Sequence, residues 1–177
     1  LASSSGELEA MLEARSVDAD DAQKISIFFE LADLAEDAET REARLLEVLD
    51  VDLGDTRARL QLVDGYEEEE RWLDAIALLE EVASLTAEQE ERAAAWRRIE
   101  LLSLKSGDEA CARRALEELL LLTPDDNAAR ERLEASYAAA EDHDAVASML
   151  IRRADLEENA DERIRLLKDA ARLFDGE

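Results

Sequence analysis

The residues that could do chemistry in this chain are few, and their spacing works against most of it. The run Glu67-Glu68-Glu69-Glu70 offers four carboxylates in succession. Hard cations need oxygen ligands that converge. Four consecutive positions on a helix splay around its circumference, so the run reads as a solvated helix end or a contact for a basic partner. His143 is the single histidine, and no second histidine or cysteine lies near it in sequence. It reads as a packing or helix-start residue. Cys111 is the single cysteine and cannot close an intrachain disulfide; among alanines it reads as a near-core residue. The chain has no glycine-rich phosphate loop, no HExxH pattern and no plausible nucleophile–base–acid set. No enzyme, cofactor or metal site is therefore expected.

The elements that hold these residues are set by an internal repeat. Sliding the sequence by 71 residues superposes Leu8 on Leu79 and Leu150, Leu31 on Leu102 and Leu173, Leu45 on Leu116, Leu62 on Leu133, and Tyr66 on Tyr137. The period divides into units of 34 and 37 residues. Repeats in this range belong to solenoids, in which each unit buries its face against its neighbours. Composition agrees. Apolar residues make up 47% but aromatics only 4%, and there is a single proline, Pro124. A chain rich in Ala, Leu, Glu and Arg with few breakers is composed for helix.

The apolar spacing predicts about ten helices, near 6–15, 19–36, 39–51, 55–68, 71–84, 87–105, 108–121, 125–140, 143–157 and 160–175. The second should bury Ile25, Phe28, Leu31 and Ala32. Trp72 and Trp96 sit at repeat packing positions and should be core. Gly54-Asp55 and Gly107-Asp108 should pair a positive-φ glycine with an N-capping carboxylate. The stretch from Thr86 to Gln89 has the capping-box pattern, and Thr123-Pro124-Asp125 should end one helix and begin the next. Such short joints make consecutive helices antiparallel neighbours. The extra residues of the longer units should fall in the loops near 85–90 and 156–161.

These residues resemble the tetratricopeptide repeat, a helix-turn-helix unit. Trp96, Ile99, Ser103, Gly107-Asp108, Ala112, Leu116, Leu119 and Pro124 follow the family pattern through one unit. Leu62, Tyr66, Trp72, Ala75, Ile76 and Leu79 follow it in the unit before. Phe29, Val63, Glu100 and Glu134 depart from it where a small residue is usual, and Arg153 stands at a small apolar position. The resemblance implies an all-α, right-handed superhelix of antiparallel repeats in one array. Half-unit 6–21 would precede units 22–55, 56–92, 93–126 and 127–163, with half-unit 164–177 at the end. The start Leu1-Ala2-Ser3, with no methionine, suggests a piece of a longer protein.

The resemblance also implies a concave groove lined by first helices. Its lining would be Gln23, Ser26, Glu30 and Asp33; then Arg57, Leu60, Asp64 and Glu67; then Ala94, Arg97, Leu101 and Lys105; then Glu131, Ala135 and Ala138. One branch of the family clamps acidic C-termini through Lys, Arg and Asn. Here Leu101 and Ala135 stand where that clamp needs polar donors, so it is not expected.

The net charge of −26, from 47 acidic against 21 basic residues, repels nucleic acid and anionic lipid and attracts basic proteins. No apolar run reaches the length of a membrane span, and a cytoplasmic location is expected. The reading is a non-enzymatic protein-interaction scaffold holding a peptide or helix in its groove, basic segments favoured. Two alternatives stand beside it: a regulatory or ligand-sensing segment of a larger bacterial signalling protein, and an acidic nucleic-acid mimic that binds a DNA-binding protein. Partner, process and oligomeric state are not encoded in any motif.

Overall fold

Aspartates at the joints start most of the helices. In the computed structural model, which describes residues 2–175, the chain forms ten helices and no strand among the described residues. They are α1 (Ala2–Val17), α2 (Asp21–Leu34), α3 (Ala38–Val51), α4 (Thr56–Glu68), α5 (Trp72–Leu85), α6 (Gln89–Ser106), α7 (Glu109–Leu122), α8 (Asn127–Ala139), α9 (His143–Leu156) and α10 (Ala160–Asp175). Asp37, Asp55, Asp108, Asp126 and Asp142 each accept a hydrogen bond from a first-turn backbone N–H of the helix that follows. Asp37 and Asp55 fall on Asp108 and Asp126 under the repeat shift, so the caps obey the same period as the core.

Two joints differ from expectation. Gly107 ends α6 at φ 79, which glycine adopts without strain. Gly54 has no positive φ; its N–H donates to Asp52 Oδ1 at 2.8 Å in a side-chain-closed turn. Thr86 makes no capping box, because it is the C-cap of α5, and the N-cap of α6 is Glu88 with no side-chain bond. The capping box is instead at α2, where Asp20 accepts from Gln23 N–H and Gln23 Oε1 accepts from Asp20 N–H.

The chain divides into two compact units, the first closing at Gly107 and the second opening at Asp108. In the first, each of α1 to α5 packs on the next in sequence. Its core runs through Leu12, Ile27, Leu31, Leu45, Val48, Leu62, Val63, Leu79, Ile99 and Leu102. In the second, α7 packs on α8, α8 on α9 and α9 on α10, around Leu116, Leu119, Leu133, Ala147, Ala154, Leu166 and Ala170. Register partners are buried in both units: Leu45 and Leu116, Val48 and Leu119, Ala58 and Ala129, Leu62 and Leu133, Ala83 and Ala154.

The buried face of α2 is rotated from the expected one. Ile27, Phe29, Leu31 and Ala32 are buried, whereas Ile25 and Phe28 are half-buried. The extra residues of the longer units do not lengthen the loops. They lengthen first helices, since α6 has 18 residues and α10 has 16 against 13 in α4 and α8. Trp72 and Trp96 are half-buried rather than core.

Candidate functional site

The first unit carries a cleft between α4 and α6, floored by α5. Residues at helical spacing build each wall. Arg57, Leu60 and Gln61 come from α4, and Glu91, Ala94, Ala95 and Arg98 from α6. Leu79 and Val82 of α5 form the floor. The small side chains of Ala94 and Ala95 leave the space open. The cleft encloses about 470 Å³, and its surface is mainly apolar. An apolar cleft of this size with a few polar groups at its rim suits part of a peptide or a small molecule.

Charge across this cleft is organised in pairs. Arg98 of α6 reaches Asp64 of α4 at 2.5 Å and also bonds Glu67. Partial burial works against its charge, but the hydrogen bonds it donates to Asp64 and Glu67 outweigh that cost and raise its pKa. Two of the expected groove carboxylates are therefore spent on an arginine that sequence spacing did not bring to them. Arg59, buried within α4, donates from Nε to Glu81 of α5 at 2.7 Å and from its guanidinium to the Asp55 carbonyl.

The other expected groove positions fall on α2, α4, α6 and α8. On α2, Ser26, Glu30 and Asp33 are exposed, while Gln23 is engaged in the capping box. On α4, Arg57 lies over the Phe29 ring at 4.0 Å, and Leu60 is 38% exposed at the cleft mouth. On α6, Arg97 pairs with Glu90 at 3.2 Å, Leu101 is exposed, and Lys105 lies over Trp72 at 4.6 Å. Exposed cation–π contacts of this kind are worth about 0.5–1 kcal/mol. On α8, Glu131, Ala135 and Ala138 are exposed.

Glu131 lines a different kind of cleft. It shares about 450 Å³ in the second unit with Asp125, Asn127, Arg130, Glu134, Arg153 and Glu157. Several of these are register partners of the apolar cleft: Thr56 becomes Asn127, Leu60 becomes Glu131, Val82 becomes Arg153 and Thr86 becomes Glu157. The same repeat position is thus apolar in one unit and charged in the other.

Sequence spacing also missed a cluster around Tyr66. Its hydroxyl donates to Glu42 Oε1 at 2.8 Å, and Arg71 donates to the Glu42 carboxylate at 2.8 Å while stacking on the Tyr66 ring at 3.9 Å. Arg71 bonds Asp74 and Glu69 as well. The Arg71 hydrogen bond holds Glu42 below the usual carboxylate range. Burial and then Glu42 push the Tyr66 phenol up to about 12. Tyr137 repeats half of this, donating to Glu117, with its pKa pushed up to about 12 by burial first. The coincidence of Tyr66 and Tyr137 under the repeat was the available signal.

The glutamate run does not converge. Glu67 pairs with Arg98, Glu69 with Arg71, and Glu70 sits at φ 58 in the turn beyond α4. His143 is the exposed first residue of α9, a helix-start position. Cys111 is half-buried on α7, with the Arg114 guanidinium 3.6 Å from its sulfur. No group of three His, Cys, Asp or Glu is placed to hold a metal ion among the described residues. No helix among them is long and apolar enough to cross a membrane.

No protein-family model matches the sequence, and no curated protein sequence matches it. Solved structures do. A crystal structure of MamA protein is similar at a TM-score of 0.54 and 19% identity, covering 87% of this chain and 90% of that one. YrrB, described as a TPR protein with an unusual peptide-binding site, is similar at 0.51 and 17% identity, covering 94% and 91%. The fold is therefore that of tetratricopeptide-like helical repeats. At these identities the likeness carries the fold alone.

Proposed function

We propose that the protein is a non-enzymatic interaction scaffold whose α4–α6 cleft takes an apolar side chain of a bound peptide or helix. The observation that carries this reading is the cleft itself. It presents about 470 Å³ of mainly apolar space in a chain of net charge −26. An apolar anchor in a desolvated pocket supplies most of the energy in such contacts, and the surrounding charge supplies orientation and encounter rate. Burying one leucine there would contribute about 1.5–3 kcal/mol. Glu30 and Asp33 on the exposed face of α2, with the acidic field around them, favour lysine or arginine beside that anchor. The peptide-binding site named for YrrB supports the same class of activity for this fold.

The test is a panel of synthetic peptides, each with one leucine between lysines or between glutamates, titrated by fluorescence anisotropy. The lysine-flanked members should bind, weaken as salt rises, and lose about tenfold or more in affinity with Leu60→Glu. Binding that ignores both salt and Leu60→Glu overturns the reading. A small apolar ligand displacing the peptide would favour the ligand-sensing alternative, which draws on the same cleft.

A further inference from the structure

The second unit holds an apolar trough that the α4–α6 cleft does not explain. It is floored by α8 and walled by α7 and α9, and it encloses about 490 Å³. Leu133 and Tyr137 lie on the floor, Leu120 and Leu121 on the α7 wall, and Met149 on the α9 wall. Leu121 is 72% exposed there. Along α9 the lining follows Ala145, Met149 and Arg152, and along α8 it follows Arg130, Leu133 and Tyr137. A stripe at helical spacing on the α9 wall, a second along the α8 floor and the leucines of the α7 wall make the shape that receives a helix.

The repeat register says what that helix must carry. In the first unit Arg59 is neutralised by Glu81 at 2.7 Å. Under the repeat shift Arg59 becomes Arg130 and Glu81 becomes Arg152. The anion of the pair has been replaced by a second cation. Both arginines line the trough, and Arg153, where the first unit has Val82, stands beside them. Arg130 turns its guanidinium to Asn127 Oδ1 and to the Pro124 carbonyl. In a chain with 47 acidic residues against 21 basic, neither Arg152 nor Arg153 forms an ion pair among the described residues. The facing wall carries Glu117 and Glu118, and Glu117 already accepts the Tyr137 hydroxyl.

We propose that the α7–α8–α9 trough docks an acidic amphipathic helix of a partner protein. Its apolar stripe covers Leu121, Leu133 and Met149. Its carboxylate meets Arg130 and Arg152 where the first unit supplies Glu81 from within. Arginine pairs carboxylates in a two-pronged geometry that fixes orientation as well as adding affinity. The preference is opposite in sign to that of the α4–α6 cleft, so one chain would hold two partners, or two segments of one partner, of opposite charge.

The probe is a synthetic amphipathic peptide with leucines at helical spacing flanked by glutamates, titrated against the whole chain by fluorescence anisotropy. Two controls replace its glutamates by lysines or its leucines by serines. With Leu60→Glu closing the other cleft to the lysine control, the glutamate–leucine peptide should bind at least about tenfold more tightly than either control. Arg152→Glu rebuilds the first-unit pair inside the protein, so it should abolish binding while keeping or raising the thermal midpoint. Leu121→Glu, at an exposed position, should also abolish binding with the circular dichroism spectrum unchanged. Leu60→Glu in the other cleft should leave this affinity alone, which separates the two readings. Equal binding of the lysine peptide in the Leu60→Glu background, or affinity indifferent to Arg152→Glu, overturns the proposal. So does self-association of the chain that Leu121→Glu abolishes while the peptide never binds, since a second copy would then cover the trough.

Discussion

Leu8, Leu79 and Leu150 occupy one register position in three environments, and truncating each to alanine separates burial from repeat identity. Leu79 is 0% exposed, on the floor between α4 and α6. Leu150 is half-buried, and Leu8 is 39% exposed on α1. Removing a fully buried leucine side chain forfeits its transfer energy and leaves a cavity, about 2–5 kcal/mol in all. The α4–α6 cleft adjoins Leu79, so the site relaxes in part, and about 3 kcal/mol is the expected cost of Leu79→Ala. At Leu8 much of the side chain already meets water, and the cost falls to about 1 kcal/mol or less. Leu150→Ala should lie between. The assay is urea unfolding followed by circular dichroism, with the midpoint and slope fitted separately, because repeat arrays can unfold in stages. Three equal losses, or a larger loss at Leu8 than at Leu79, would refute the claim that burial, and not repeat position, sets the stability each leucine contributes.

The Tyr66 and Tyr137 phenols titrate near 12 when folded and near 10 when unfolded, so their contribution is complete below pH 10 and is lost as pH rises towards 12. Thermal midpoints across that range should fall less steeply in a Tyr66→Phe, Tyr137→Phe variant, which should itself cost about 1 kcal/mol per hydrogen bond at neutral pH. Glu42 titrates below its ordinary value of 4.5 when folded, so its contribution is complete above that value and is lost as pH falls through the folded one; Arg71→Met should flatten this acid limb in the same measurement. Gly107→Ala should destabilise by about 1 kcal/mol because of its left-handed backbone, as read by chemical denaturation. Gly54→Ala should cost less, since the added Cβ meets only the Asp52 side-chain oxygen at 3.2 Å. Arg98→Ala frees Asp64 and Glu67 and should tighten binding of the lysine-flanked peptide in the anisotropy titration, while costing about 1 kcal/mol or less of stability.

The helices and their order were legible because the repeat imposes one register on both caps and core. Asp55 and Asp108 marked the starts of α4 and α7, and the coincidences of Leu45 with Leu116 and of Leu62 with Leu133 marked buried faces; α8 begins later than expected, capped by Asp126 and not at Asp125. The phase of α2 was not legible. Ile25, Ile27, Phe28 and Phe29 crowd four apolar residues into five positions, so two helix faces fit the pattern equally, and packing on α1 and α3 selects the one centred on Ile27 and Leu31. Thr86 misled because the same residue can end one helix or cap the next, and it ends α5. Ser26, Glu30, Asp33, Leu60 and Leu101, which the resemblance placed on the lining of first helices, are exposed. The pairing of Asp64 and Glu67 with Arg98 was not legible, since 34 and 31 residues separate the partners and no local spacing joins them. The exchange of Glu81 for Arg152 lay in the sequence throughout. It acquired meaning only once Arg59 and Glu81 were found in contact.

Which residues a lysine–leucine–lysine peptide touches is the most direct test of the scaffold reading. The measurement is a methyl chemical-shift titration of the protein labelled at leucine and valine. The account predicts shifts that saturate together at Leu60, Leu79 and Val82, with Leu120, Leu121 and Leu133 unmoved. Saturable binding that leaves Leu60, Leu79 and Val82 unmoved would contradict it.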